Sequence, residues 1–142
     1  MQKPTKLIFL NNNILKNSKL KYTVALIYSM LTVYLLLSKN SNAQKLLIFE
    51  IPNIDKLLHL LIFALFDFLW IITPLFKNKF KFNVRIVFIS TLSLMFSIVL
   101  EFLQLYTNFR KFDVFDICFN FIGIGLIMIV LVFSKKSKKK LI

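Results

Sequence analysis

The chain has 142 residues, 58% of them hydrophobic, a mean hydropathy of +0.74 and a net charge of +13. That hydropathy is too high for a soluble domain, and only 2 glycines and 3 prolines argue against an all-β fold or a disordered linker. The positive charge falls in blocks between apolar runs and not along one face of a domain, so nucleic acid is not an expected partner. Cys118, the single cysteine, excludes an internal disulfide and reads as a small hydrophobe within an apolar run.

A basic segment, residues 1–21, opens the chain. Four apolar stretches follow, at Tyr22–Ser38, Leu57–Phe76, Val84–Tyr106 and Val114–Phe133. Crossing a hydrocarbon layer of about 30 Å takes about 20 apolar residues in a helix. The first stretch is at the short end of that range and the others fit it. Asp67 interrupts the second, and Pro74 is expected near that helix's end, where a missing backbone bond costs least. The fold expected is an all-α membrane protein of four transmembrane helices, with residues 22–134 as the membrane domain and 135–142 as a basic tail. A cleavable signal peptide ending before Gln44 competes with this reading, but the long basic segment and long apolar run favour retention of the first helix.

Orientation follows from the basic residues. Lys3, Lys6, Lys16, Lys19 and Lys21, then Lys77, Lys79, Lys81 and Arg85, then Lys135, Lys136, Lys138, Lys139 and Lys140 all fall on one side, with no acid. On the other side Lys39, Lys45, Lys56, Arg110 and Lys111 balance Glu50, Asp55, Glu101, Asp113 and Asp116. Basic loops stay in the cytoplasm, so both termini are expected inside, in a multi-pass membrane protein. The tail reads as an anchor against anionic lipid.

At 100° per residue, Ser90, Ser93, Ser97, Glu101 and Gln104 share one stripe of the third helix. Small polar residues there suit close helix packing, but a carboxylate about a turn from the outer end needs a proton, a partner or water. Asp113, Asp116, Asn120 and Gly123 share a face of the fourth helix, and one of the two aspartates is expected to be an ordinary helix cap. Gly125 points elsewhere and reads as a close-packing position. Asp55 and His59, four apart on the second helix with Lys56 beside them, reach the same depth as Glu101 and Asn120. Asp67 lies about 12 Å deeper by helical rise. It is expected to be neutral and hydrogen-bonded to a serine such as Ser93 or Ser97, with a proton relay as the sharper alternative. Arg110 is either a topology residue or a two-pronged group for phosphate or carboxylate.

Asp55-Lys56-x-x-His59, Glu101-x-x-Gln104 and Arg110-x-x-Asp113-x-x-Asp116-x-x-x-Asn120-x-x-Gly123 together resemble the pattern of VanZ-like membrane proteins, from about Asp55 to Gly125. Asp67 departs from that pattern. The resemblance implies a bacterial envelope protein with an effect on susceptibility to teicoplanin, but it implies no agreed biochemical activity.

Three functions compete. In the first, an outer pocket binds or modifies a lipid-linked or anionic envelope component, such as a lipid-linked cell-wall precursor. Lys56, Arg110 and Lys111 would hold its charge, with Glu101, Gln104, Asp116 and Asn120 orienting it and reading hydroxyls or amides, and Asp55 and Asp113 counted with the ligand-binding residues. In the second, His59 and Glu101 act as general acid and base on a lipid head group, with Asp113 or Asp116 orienting the histidine or holding a divalent ion. No established catalytic motif accompanies them, and no cofactor or resident metal is assigned from the sequence. The third is a structural subunit, for which so many polar groups are poor glue. Membrane lipids are the expected partners, and the sequence leaves room for a homo-oligomer.

Overall fold

The structure, a computed structural model, describes residues 17–37, 54–107 and 112–140, with side chains up to residue 134. Among these, four helices follow one another: α1 (Ser18–Leu37), α2 (Ile54–Ile72), α3 (Phe82–Gln104) and α4 (Val114–Lys140). The architecture is all-α. Three of the helices, at Ser18–Leu37, Phe82–Gln104 and Val114–Ser134, are long and apolar enough to cross a membrane. That matches a multi-pass membrane protein. The remaining helix, α2, carries Asp55, Lys56 and Asp67 within its 19 residues.

Local chemistry moves the helix ends away from where hydropathy alone put them. Asn17 Oδ1 accepts the backbone N–H groups of Lys19 and Leu20 at 3.1 and 3.4 Å, so α1 begins four residues before the apolar run. α2 begins at Ile54 and stops at Ile72, not at Phe76. Pro74 therefore lies outside it, in the following turn, because proline lacks an N–H and disfavours helical backbone in the residue before it. Arg85 closes that turn from α3: its buried guanidinium donates to the carbonyls of Thr73 at 2.9 Å and Leu75 at 3.4 Å. A residue that reads as a topology charge is thus also a clamp on orphaned carbonyls. Phe76 takes a left-handed backbone (φ 57°), and its ring packs against Phe80 and Phe88 at 5.8 and 5.2 Å.

α2 packs against each of the other three helices, and its longest interface is with α4. Leu36, Phe63, Phe66, Leu100 and Ile124 form one apolar core, with Phe96 stacked on Phe66 at 4.9 Å. Ile71, Ile86 and Ile89 form a second near the Arg85 end. Tyr28 donates to the Ile62 carbonyl at 3.1 Å and Trp70 to Ser29 Oγ at 3.1 Å, fixing α1 against α2.

The distribution of polarity is inverted relative to a soluble bundle. Met30, Met95, Phe121 and Phe133 are at least 60% exposed, whereas Asp67, Ser97 and Asn120 are wholly buried. Cys118 also faces outwards. An apolar exterior around a polar interior suits lipid, where interhelical hydrogen bonds and close packing replace the hydrophobic drive. Asp67 illustrates this. Ser90 Oγ donates to its Oδ2 and Ser93 Oγ to its Oδ1, each at 2.9 Å. Ser97, an expected partner, instead donates to its own helix at Leu94 O, 2.8 Å away. One helical turn beyond Ser93 along the stripe, it no longer faces the aspartate.

The two glycines differ. A Cβ on Gly123 would strike the Leu60 carbonyl oxygen, so its absence lets α4 lie directly on the backbone of α2. Gly125 has nothing within 4 Å of a Cβ position, and the expected close packing there is not seen among the described residues. Gly123→Ala is expected to destabilise the bundle by about 1–3 kcal/mol through overpacking. Gly125→Ala is expected to be neutral or stabilising by up to about 1 kcal/mol. Denaturant unfolding of both variants in detergent checks the contrast.

Candidate polar centre at the start of the fourth helix

The polar stripe of α3 is buried along its full length, from Ser90 to Gln104. Where α2 begins, α3 ends and α4 begins, that stripe meets two others. α2 contributes His59, α3 contributes Glu101 and Gln104, and α4 contributes Asp116 and Asn120. All five are buried, with Asp116 the most accessible at 7%. Helical phase explains the grouping: residues four apart on one face meet the residues opposite at a shared level.

His59 is held from both sides. Its Nδ1 lies 3.2 Å from Asn120 Oδ1, and its Nε2 lies 3.5 Å from Asp116 Oδ2. An amide oxygen only accepts, so Nδ1 carries the proton in that contact, and Nε2 faces the carboxylate. Glu101 Oε1 accepts the backbone N–H of Asp113 at 3.2 Å, tying the end of α3 to the start of α4. One donor atom each from His59, Glu101 and Asp116 lie within 4.8 Å of one another. From the sequence, Asp113 or Asp116 is the residue offered for a divalent ion, and His59 and Glu101 are offered only as acid and base. The three helices bring together a nitrogen and two carboxylates that could hold such an ion.

The two aspartates of α4 separate by role. Asp113 Oδ1 accepts the Phe115 N–H at 2.8 Å, so Asp113 is the helix cap. Asp116, a turn later, points into the centre. Above them Lys56 Nζ bridges Asp113 at 3.4 Å and Asp55 at 3.5 Å. Asp55, with an exposed side chain, belongs to this rim and not to the buried group. Arg110 and Lys111 lie outside the described residues. Of the sequence-derived candidates, then, His59, Glu101, Gln104, Asp116 and Asn120 form the centre, and Asp55, Lys56 and Asp113 form its rim.

Several buried polar atoms of the centre have no hydrogen-bond partner among the described residues: Gln104 Nε2, Asn120 Nδ2 and Asp116 Oδ1. Buried polar groups are normally paired, and these three atoms have capacity left for a further partner. Two further concavities differ in character. A groove of about 350 Å³ between α1, α2 and α3 is lined mainly by Leu26, Phe66, Trp70, Leu92 and Phe96. One of about 470 Å³ at the opposite end of the bundle includes Lys21, Lys77 and Arg85. Neither adjoins His59.

Sequence reasoning located the centre's residues by depth and helical phase but missed Ser90 as an Asp67 partner and Arg85 as a clamp. The Ser90 contact was open to discovery, since Ser90 and Ser93 sit on the same stripe; the Arg85 contact depends on where α2 ends. Asp113→Ala is expected to cost about 1 kcal/mol through loss of the cap, and Asp113→Asn much less, because asparagine caps equally well. Lys56 keeps its bridge to Asp55 in either variant, so its contact adds little to the difference. Unfolding midpoints in detergent read the difference. No family model, curated protein or solved structure matches this chain, so its functional reading rests on the geometry of this centre and on the resemblance carried by its own residues.

Proposed function

We propose that the chain is a four-span protein of the bacterial inner membrane, with both termini cytoplasmic, whose outward-facing polar centre binds or modifies a lipid-linked or anionic component of the cell envelope. The single observation that carries this reading is the set of buried, unmatched polar atoms on Gln104, Asn120 and Asp116, all at one end of an otherwise apolar bundle. Such atoms suit a ligand with hydroxyl, amide or phosphate groups. Their position at a bundle end suits a head group at the membrane interface.

The fourth span is α2. Its 19 residues reach about 28 Å by helical rise, and the other three helices surround it. Its deepest charge, Asp67, has serine donors on both oxygens, which offsets the cost of burying it. The basic blocks Lys77–Arg85 and Lys135–Lys140 flank the bundle end opposite His59, which supports an inside location for that end. The VanZ-like resemblance adds an expected effect on teicoplanin susceptibility. Membrane lipids and a lipid-linked cell-wall precursor are the partners this reading implies.

A second reading is favoured by one distance. Asp116 Oδ2 stands 3.5 Å from His59 Nε2, an arrangement in which the carboxylate orients an acid–base histidine while Glu101 serves as the opposing group. That reading makes the centre catalytic on the same head group.

Native mass spectrometry of gently purified protein tests the binding reading. Retained lipid or precursor is expected on the wild type. Arg110→Ala and the pair Gln104→Ala with Asn120→Ala are each expected to reduce it several-fold. Absence of retained lipid, or equal retention by the variants, sinks the proposal. Under the catalytic reading, Glu101→Gln retains ligand but loses the change in teicoplanin susceptibility.

A further inference from the structure

An electrostatic difficulty lies in the centre as built. Glu101 and Asp116 are buried in it, Asp55 and Asp113 stand at its rim, and Lys56 is the cation among these described neighbours. Carboxylates gathered this closely in a low-dielectric interior repel one another, and they repel the anionic head group that the preceding reading brings here. A cation among them relieves both repulsions.

We propose that His59, Glu101 and Asp116 bind one divalent metal ion of the zinc or manganese type. The geometry carries this in three ways. First, a nitrogen and two carboxylates from three different helices already lie within 4.8 Å of one another, all buried. Two ligands on a tetrahedral zinc ion stand about 3.4 Å apart. His59 Nε2 and Asp116 Oδ2 are 3.5 Å apart, so this pair needs little movement to share an ion. Second, Asn120 Oδ1 accepts from Nδ1 at 3.2 Å. A metal-ligating histidine commonly has its other ring nitrogen fixed in this way, which turns the lone pair of Nε2 towards the ion. Asn120 is therefore a positioning residue. Third, Asp116 Oδ1 is buried without a hydrogen-bond partner among the described residues, although Asp116 points into the cluster. A carboxylate that offers either oxygen to an ion accounts for this.

The donor set also selects the ion. An imidazole nitrogen with carboxylate oxygens suits zinc or manganese better than calcium or magnesium, which prefer oxygen alone. Three protein ligands leave a coordination position open. In that position a phosphate or carboxylate of the head group would meet positive charge in place of Glu101 and Asp116. The inference thus deepens the binding reading, but the ion needs only the three side chains and not the head group.

Zinc titration of the full chain in nanodiscs of phosphatidylcholine, followed by competition with a chromophoric chelator, tests the site. One zinc ion per chain is expected, undisturbed by millimolar magnesium. Glu101→Gln and Asp116→Asn are each expected to weaken it at least tenfold, and Asn120→Ala by about 10–100-fold. Cys118→Ser, which alters an outward-facing sulfur, is expected to leave it unchanged. No stoichiometric zinc, or undiminished zinc on the Glu101→Gln variant, overturns the proposal. Circular dichroism verifies the helical fold of each variant. Should Asp116→Asn not fold, Glu101→Gln decides alone, since a glutamine oxygen still accepts the Asp113 N–H. The nanodiscs hold no envelope precursor, so failure of lipid retention leaves this result standing, and failure of zinc binding leaves lipid retention to be read by itself.

Discussion

Gly123 rests on the Leu60 carbonyl, and this backbone contact sets how closely α2 and α4 approach. His59 precedes Leu60, and Asn120 lies one turn before Gly123, so the same approach fixes the distance between histidine and asparagine. At 3.2 Å the pair makes a hydrogen bond, and the adjacent turn places Asp116 at 3.5 Å from the other ring nitrogen. A methyl group at residue 123 would press on that approach, and so on the pair beside it. The helix interface and the polar centre are one construction.

The surroundings reinforce it. Lipid offers the exterior no hydrogen bonds, so each polar side chain inside the bundle must find a partner there. Asp67 finds Ser90 and Ser93, Arg85 finds the carbonyls that end α2, and Trp70 finds Ser29. These contacts tie α1, α2 and α3 together away from the centre. Against that well-satisfied background, the unmatched atoms of Gln104, Asn120 and Asp116 stand out. Among the described residues they are the positions that the proposed ligand would fill.

The bundle is also polarised along its length. Its basic blocks cluster at the end where α2 gives way to α3, and its carboxylates at the end where α3 gives way to α4. The first arrangement serves insertion and anchoring. The second gathers carboxylates around one histidine, which suits the proposed ion. With that ion bound first, the metal would be the element that decides what the centre accepts.

Hydropathy by itself determined that the chain is helical and apolar on the outside, because sustained apolar runs with few glycines and prolines leave lipid-facing helices as the only economical solution. Helical phase also determined that Ser90 to Gln104 form one face, and that His59, Glu101 and Asn120 share a depth, because both follow from a fixed rotation and rise per residue. Boundaries were less legible. Pro74 and Asn17 act through local hydrogen bonds that hydropathy does not register, and so α1 begins before its apolar run and α2 stops before the proline. Only the tertiary structure decided that Asp113 caps while Asp116 enters the centre, that Asp55 stays at the rim, and that His59, Glu101 and Asp116 converge as a set of ligands. Those outcomes depend on the rotation of one helix against another. That rotation is set by contacts such as Gly123 on Leu60, between residues 63 apart in the chain, which no local pattern contains.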